Sequence, residues 1–536
     1  MSLQVKYADA PVGAQENAVI TATASQAFSV PDNLKNPAVD MPWATFEARG
    51  WPLDGSRKLM ADSTETGWWS DTCSGADGSF TEPPVITVTF PQPYTATGLT
   101  LSFCPASGEW CSEAEVLWYR GAKLLDQIVT YPDMAEWILT HPVENFDKVE
   151  LRLLKTNIPG HFAKLRQLQI GRVFVFLGDE IVRVRLLNEI DPSLCRLSVD
   201  TMTVDIRDRK GHPLTPKKDQ TIQLYRDGVQ LASHYITDAT RQSQRNYRLR
   251  CQSAIGRLED TFLGGFYKQY PLMTLLQQVL GDFPFRVDST FTEETITGYL
   301  PVCTRREALQ QIAFAVGAVV ATRGDGSIQL LPSEQTVSGS FNAGSIFAGA
   351  GLKQEAAVAA VELYIHSYTS SDEEKVIFKD KEMHGEELLI VFSEPCFSYR
   401  ISGGTVLDSD VNWIRLTGDG VVTLKIKNFH HDIAVLSKKN PLATAAEKGN
   451  VVKVENATLI HSGNADEALE RLYNYYTMQS ILTQDVVVKE QHAGQMVQSL
   501  NPWGERIEGY ITEMESTFTD KSHRASIRIR GREVAE

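Results

Sequence analysis

Pro84-Val85-Ile86-Thr87-Val88-Thr89-Phe90 decides how the front of this chain folds. Ile86, Val88 and Phe90 alternate with Thr87 and Thr89, so the segment has one apolar face and one wettable face, the period of a half-buried strand. The same alternation recurs at Leu99, Leu101 and Phe103 against Thr100 and Ser102, and at Val149, Leu151 and Leu153 against Glu150 and Arg152. It recurs again at Leu168 and Ile170 against Gln167 and Gln169. Strands of this kind pack as antiparallel sheets with one buried face. The spacing predicts a jelly-roll β-sandwich over residues 43–171.

Six of the chain's nine tryptophans lie in this stretch ahead of Trp137. Trp118, in Val116-Leu117-Trp118-Tyr119, and Trp137, ahead of Ile138-Leu139, read as core. Trp51, Trp68, Trp69 and Trp110 stand among Gly, Ser, Asp and Glu and read as loop residues. Indoles on loops at one end of a sandwich can stack on the apolar face of a sugar while nearby Asp, Arg and His bind its hydroxyls. The candidate carbohydrate-binding residues are therefore Trp51, Trp68, Trp69, Trp110, Asp54, Arg57 and His161, on loops 51–57, 66–77, 109–111 and 157–161. The competing reading is that these indoles plug the open end of the sandwich. Asp54 and Asp77 are candidate oxygen ligands for Ca²⁺, and ordinary Asp-Gly turns account for both equally well.

Leu53-Asp54-Gly55-Ser56, Gly67-Trp68-Trp69-Ser70-Asp71 and the strand from Pro84 to Phe90 together resemble the discoidin-type, galactose-binding-like jelly roll. Phe146-Asp147-Lys148-Val149-Glu150-Leu151-Arg152 and Leu165-Arg166-Gln167-Leu168-Gln169-Ile170-Gly171 fit its final strands. The resemblance covers about a quarter of the chain. It implies a module that holds a glycan, a lipid or a protein.

A chain of 536 residues is too long for one core. Its hydrophobic content of 42% and charged content of 22% are those of ordinary soluble globular protein. No apolar run reaches the ~18 residues that span a bilayer, and no basic-then-apolar leader opens the chain, so neither a transmembrane segment nor a signal peptide is expected. A formal net charge of −15 argues against nucleic acid or an anionic bilayer as partner. The 7 cysteines form no C-x-x-C pair, which speaks against zinc and for a reducing cytoplasmic origin.

Behind the sandwich, strand patterns with few helices run from Val173 to Tyr267, with a hairpin turn at Arg226-Asp227-Gly228. Pro271 opens a helix carrying Leu272, Leu275, Leu276 and Val279, and Gly281 stops it. Thr304-Arg305-Arg306-Glu307 is a capping box for a second helix, which leads into a hairpin closed by Arg323-Gly324-Asp325-Gly326. That Arg-Gly-Asp triplet reads as a tight turn ahead of an integrin ligand. Strands return after 335, interrupted by one helix at 464–480 that presents Leu469, Leu472, Tyr473 and Tyr476 on one face. The expected domains are an N-terminal arm or linker (1–42), the jelly roll (43–171), a first β-barrel (172–267), a small α/β unit (268–334) and a second β-barrel (335–536). The expected fold class is mainly β.

Gly298-Tyr299-Leu300-Pro301 leading into Thr304 to Leu309, with Leu330-Leu331-Pro332 behind, carries a second resemblance. So do Ala468 to Tyr476 and Gly509-Tyr510-Ile511-Thr512-Glu513-Met514-Glu515. Together they resemble the baseplate-hub and tail-associated proteins of tailed phages, prophages and related contractile particles. The resemblance implies a virion structural protein of the tail tip, made in the bacterial cytoplasm. It also implies a homo-oligomer, a trimer whose barrels build a collar, with other tail and baseplate proteins as partners. The jelly roll would be an accessory module for host-surface glycan or a baseplate neighbour. No G-x-S-x-G, H-E-x-x-H or P-loop is present, no catalytic residue is assigned, and no cofactor is expected beyond a possible Ca²⁺ in the jelly roll. Acidic runs such as Asp372-Glu373-Glu374 read as solvated turns, and His430 with Asp432 would share a strand face without a third metal ligand. The alternative is a glycan-degrading enzyme with an accessory binding module, which would need converging carboxylates or repeated β-α units.

Overall fold

The computed structural model describes residues 2–23, 25–35, 38, 43–44, 47, 54–59, 66–212 and 214–534. The architecture is mainly β. At the front, the strands Val85–Ser102, Glu136–Thr156, Cys111–Arg120, Lys123–Thr130, Gln167–Ile170 and Val19–Ala22 form one sheet, and Trp68–Cys73 pairs with Phe162–Leu165 in a second. The alternating residues face inward as their period requires: Ile86, Val88, Leu99, Leu101, Phe103, Val149, Leu151, Leu153, Leu168 and Ile170 lie in one core with Trp118 and Phe146.

The described part of residues 1–42 is not an arm. Leu3–Asp9 is an interior strand of the first barrel, paired on one side with Arg172–Leu177 and on the other with Thr221–Arg226. Its Leu3, Val5 and Tyr7 point into the barrel core. Val19–Ala22 then joins the jelly roll beside Val85–Ser102. Chain order puts the jelly roll between two strands of the barrel, so the sandwich is an insertion and not a leading domain.

The two barrels share one ladder. Ile181–Glu189 pairs with Thr201–Arg207 on one edge and with Arg506–Phe518 on the other, from Val184↔Phe518 to Glu189↔Glu513. The result is a single 13-stranded sheet running through both barrels. Phe518, from the second barrel, is buried in the core of the first. The expected break at residue 267 is therefore bridged by backbone hydrogen bonds.

The expected second barrel, 335–536, is in fact two units. Ala360–Val391 and Trp413–Lys439 pair along most of their length. With Cys396–Ser402, Thr405–Asp410 and Val451–Val454 they make a separate five-stranded sheet. Its core is Met383, Phe392, Ile414, Leu416, Val422, Leu424 and Ile426. The barrel itself is built from short strands near 339–354 and the long ones after Ser480, around Leu482, Val497, Ile511 and Ile529. Alternation identifies a strand correctly but says nothing about which partner it takes.

The helices form where their signals stand. Leu272–Leu280 (α1) ends at Gly281 with φ 59, and Arg305–Val316 (α2) begins with a complete Thr304–Glu307 capping box. Ala465–Tyr476 (α3) ends four residues earlier than expected, because Ser480 already starts a strand. The Arg323-Gly324-Asp325-Gly326 turn is packed down: a Cβ on Gly324 would lie 2.1 Å from the Gln230 carbonyl oxygen. Asp325 Oδ1 accepts from Ser327 N at 3.0 Å, which closes the turn.

Candidate functional site

The loops around 74–79, 104–110 and 157–161 meet at one end of the jelly roll. Ser74 N donates to His161 O at 2.9 Å, Asn157 Nδ2 to Gly108 O at 2.8 Å, and Trp110 N to Asn157 Oδ1 at 2.9 Å. Beneath them lies a buried group of four ionisable side chains. Lys164 Nζ sits 2.7 Å from Glu47 Oε2 and 2.6 Å from Glu109 Oε2. His161 Nδ1 lies 2.6 Å from Glu109 Oε1 and 3.5 Å from Glu47 Oε2. The side chains of Lys164, Glu47 and Glu109 are 4%, 2% and 8% exposed.

Taking such charges out of water costs several kcal/mol per ion unless they are paired and hydrogen-bonded, and here both carboxylates share one ammonium. Lys164 Nζ also stands over the Trp69 ring, 4.4 Å from its centroid. Burial pushes the Glu109 carboxyl up, and the Lys164 charge with hydrogen bonds from Lys164, His161 and Ser107 more than reverses this, leaving its pKa below the usual value. Glu47, Glu109 and His161 offer ligand atoms within 4.8 Å of one another, as a metal site would. The Lys164 ammonium already lies between the two carboxylates, so an incoming cation would have to expel it. The cluster acts as an internal cross-link tying strand Phe162–Leu165 to the 104–110 loop.

The sequence candidates fall into three groups. Glu109, from the 109–111 loop, and His161 are brought together as that reading of the loops requires, but His161 is buried and its Nε2 has no hydrogen-bond partner. Trp68 and Trp69 are not loop platforms. They lie on strand Trp68–Cys73, 0% and 2% exposed, with Trp68 opposite Leu165 and Trp69 opposite Lys164. Trp68 Nε1 donates to Ser25 Oγ at 2.8 Å, and Trp69 packs edge-on against Phe28. Trp110 is half-buried against the core, its Nε1 donating to Pro132 O at 3.1 Å.

Asp54 and Asp77 are exposed and each closes its own turn, accepting from Ser56 N and Ser79 N, both at 2.9 Å. Neither joins a group of three potential ligands among the described residues. Arg57 is half-buried and donates to Trp43 O at 3.3 Å. Trp51 lies outside the described residues.

If Trp68 is core, Trp68→Ala should cost about 3–5 kcal/mol of stability, read by chemical denaturation of the full chain. A ligand-facing indole would leave the denaturation midpoint unchanged.

Glu47 and Lys164 were missed by the sequence reading. The signal for Lys164 is its place in Phe162-Ala163-Lys164-Leu165, where a lysine at a buried strand position requires an acidic partner. In the separate sheet, His430 and Asp432 do share a face, 3.3 Å apart and exposed. His431 points the other way, stacked on Tyr368 at 4.6 Å and hydrogen-bonded to His366 at 2.8 Å.

No protein-family model matches the chain, and no curated protein matches it. Among solved structures, it is similar to the 43 kDa tail protein of prophage MuSo2 from Shewanella oneidensis, with 10% identity and a TM-score of 0.40 over 66% of this chain and 93% of that one. It is similar to the tail protein from Neisseria meningitidis MC58, with 10% identity and a TM-score of 0.40 over 67% and 93%. It is also similar to the family 32 CBM from C. perfringens NanJ in complex with galactose, with 11% identity and a TM-score of 0.20 over 32% and 99%. Scores this low mark a distant likeness of parts, and no role passes from those proteins to this one.

Proposed function

We propose that the chain is a non-enzymatic structural component of a phage or prophage tail tip, a hub subunit that joins the tail tube to the tip. The observation that carries this reading is the ladder between Ile181–Glu189 and Arg506–Phe518, which joins the two barrels in one continuous sheet. Such a sheet suits load transfer between neighbours. The sequence resemblance to hub proteins supplies the place of assembly, and it implies a ring of three copies. The ionisable cluster of the jelly roll is buried and internally paired, which supports a mechanical role over a catalytic one.

The jelly roll would grip a neighbouring tail protein. Its outer strand Lys123–Thr130 pairs on one side only, and Leu124, Leu125, Val129, Tyr131 and Met134 are exposed on it and just beyond it. A clustered apolar surface of this kind marks a protein contact. Two of the four loop tryptophans expected to stack on sugar are taken up by packing.

The test is sedimentation of tail particles from the cell that makes an epitope-tagged chain. Co-migration with particles at fixed stoichiometry is expected. A tagged chain that stays wholly in the soluble fraction while particles assemble would overturn the proposal.

A further inference from the structure

The turn 519–522 between the last two strands of the chain lies against the first barrel. Phe518, just before it, fills that barrel's core, and His523, just after it, stacks on Phe518 with ring centroids 4.3 Å apart and planes 8° from parallel. Arg226, at the end of strand Thr221–Arg226, hydrogen-bonds to Nδ1 of His523. A guanidinium only donates, so His523 Nδ1 must carry a lone pair, and the imidazole must be neutral with its proton on Nε2. Nε2 is buried without a hydrogen-bond partner among the described residues. Protonation removes the acceptor and sets two cations in contact.

We propose that His523 and Arg226 form an acid-released latch, which clamps the 519–522 turn of the second barrel onto the first barrel at neutral pH and lets it go in acid. Asp227 carboxylate lies 3.8 Å from Arg226 Nε and accepts from Ser2 N at 2.7 Å, so it serves the arginine and the N-terminal strand. On the latch's own turn stand Asp520 and Lys521, with Asp520 directed toward the turn at Gly178, and on the strand after it Arg524 lies 4.0 Å from Asp485. Burial first, and the Arg226 charge second, push the His523 pKa down to about 4. The sign follows. The neutral form is held while closed, the open form takes a proton at the ordinary histidine value, and the latch weakens as pH falls from about 6.5 toward about 4. The proposal is independent of the tail reading.

The test is hydrogen exchange by mass spectrometry on the full chain, corrected for intrinsic rates, from about pH 7 to about pH 4.5. Exchange in peptides covering 221–226 and 515–525 should rise about tenfold in acid in the His234→Leu background, ahead of 201–207. His523→Gln keeps a neutral acceptor for Arg226 and should abolish the rise. Arg226→Gln removes the repelling cation, brings the closed-state pKa nearer the ordinary histidine value and should shrink the rise, which keeps the proposal testable if His523→Gln does not fold. A rise of the same size in Arg226→Gln, a rise that persists in His523→Gln, or simultaneous opening of 201–207 would overturn the latch.

Discussion

Lys164→Met should unfold the jelly roll or lower its stability by about 3–5 kcal/mol, because breaking a buried pair leaves uncompensated charge in a dry site. The variant keeps the stem's volume and removes the ammonium that lies 2.7 Å from Glu47 and 2.6 Å from Glu109. Two carboxylates would then face each other with only His161 between them, and one of them would have to protonate or the 104–110 loop would have to open. Denaturation followed by tryptophan fluorescence reads the effect, since the Trp69 ring is 4.4 Å from the lost charge. Glu47→Gln and Glu109→Gln added to Lys164→Met should recover much of the loss, because neutral amides pay no such penalty. Unchanged stability in Lys164→Met would mean that the cluster is open to solvent or to a substitute cation. Adding Ca²⁺ or Zn²⁺ to the variant separates those two.

Acid should weaken the first barrel through His234. Its ring is buried on strand Val229–Arg241, opposite Ile222, and neither ring nitrogen has a hydrogen-bond partner among the described residues. Burial lowers its pKa to about 4. The folded value lies below the unfolded one, so the unfolded chain binds more protons between about 6.5 and about 4, and stability falls with pH across that window. At 1.36 kcal/mol per unit the full loss is about 3 kcal/mol, of which about 2 kcal/mol has gone by about pH 5. His234→Leu should flatten this dependence and hold stability at neutral pH, measured by denaturant titration at both pH values. A variant that loses as much stability in acid as the parent would assign the effect elsewhere.

Much of the fold was legible where local pattern suffices. The strand at Ile86, Val88 and Phe90, the Thr304–Glu307 capping box and the Gly281 stop all stand where their residues put them. What local pattern cannot carry is long-range pairing. Leu3, Val5 and Tyr7 alternate visibly, yet nothing in 1–42 shows that they meet Phe174, Phe176 and Leu224 across the inserted jelly roll. Trp68 and Trp69 failed for a related reason. Neighbours on a strand face opposite sides, so both can be buried only if the strand is covered on both faces. Here the main core covers Trp68, while Phe28, Phe162 and Lys164 cover Trp69. The Gly, Ser and Asp residues around them read as loop because the partner strand, Phe162–Leu165, lies about ninety residues away. The Glu47–Glu109–His161–Lys164 cluster draws on three separate segments, and only the isolated buried lysine hinted at it.

The proposed hub subunit would close a ring with copies of itself. The measurement that tests it most directly is the mass of the purified full chain by light scattering after gel filtration, over a concentration series. A discrete species of three 59.7 kDa chains is the expected result. A single 59.7 kDa chain at every concentration would contradict it.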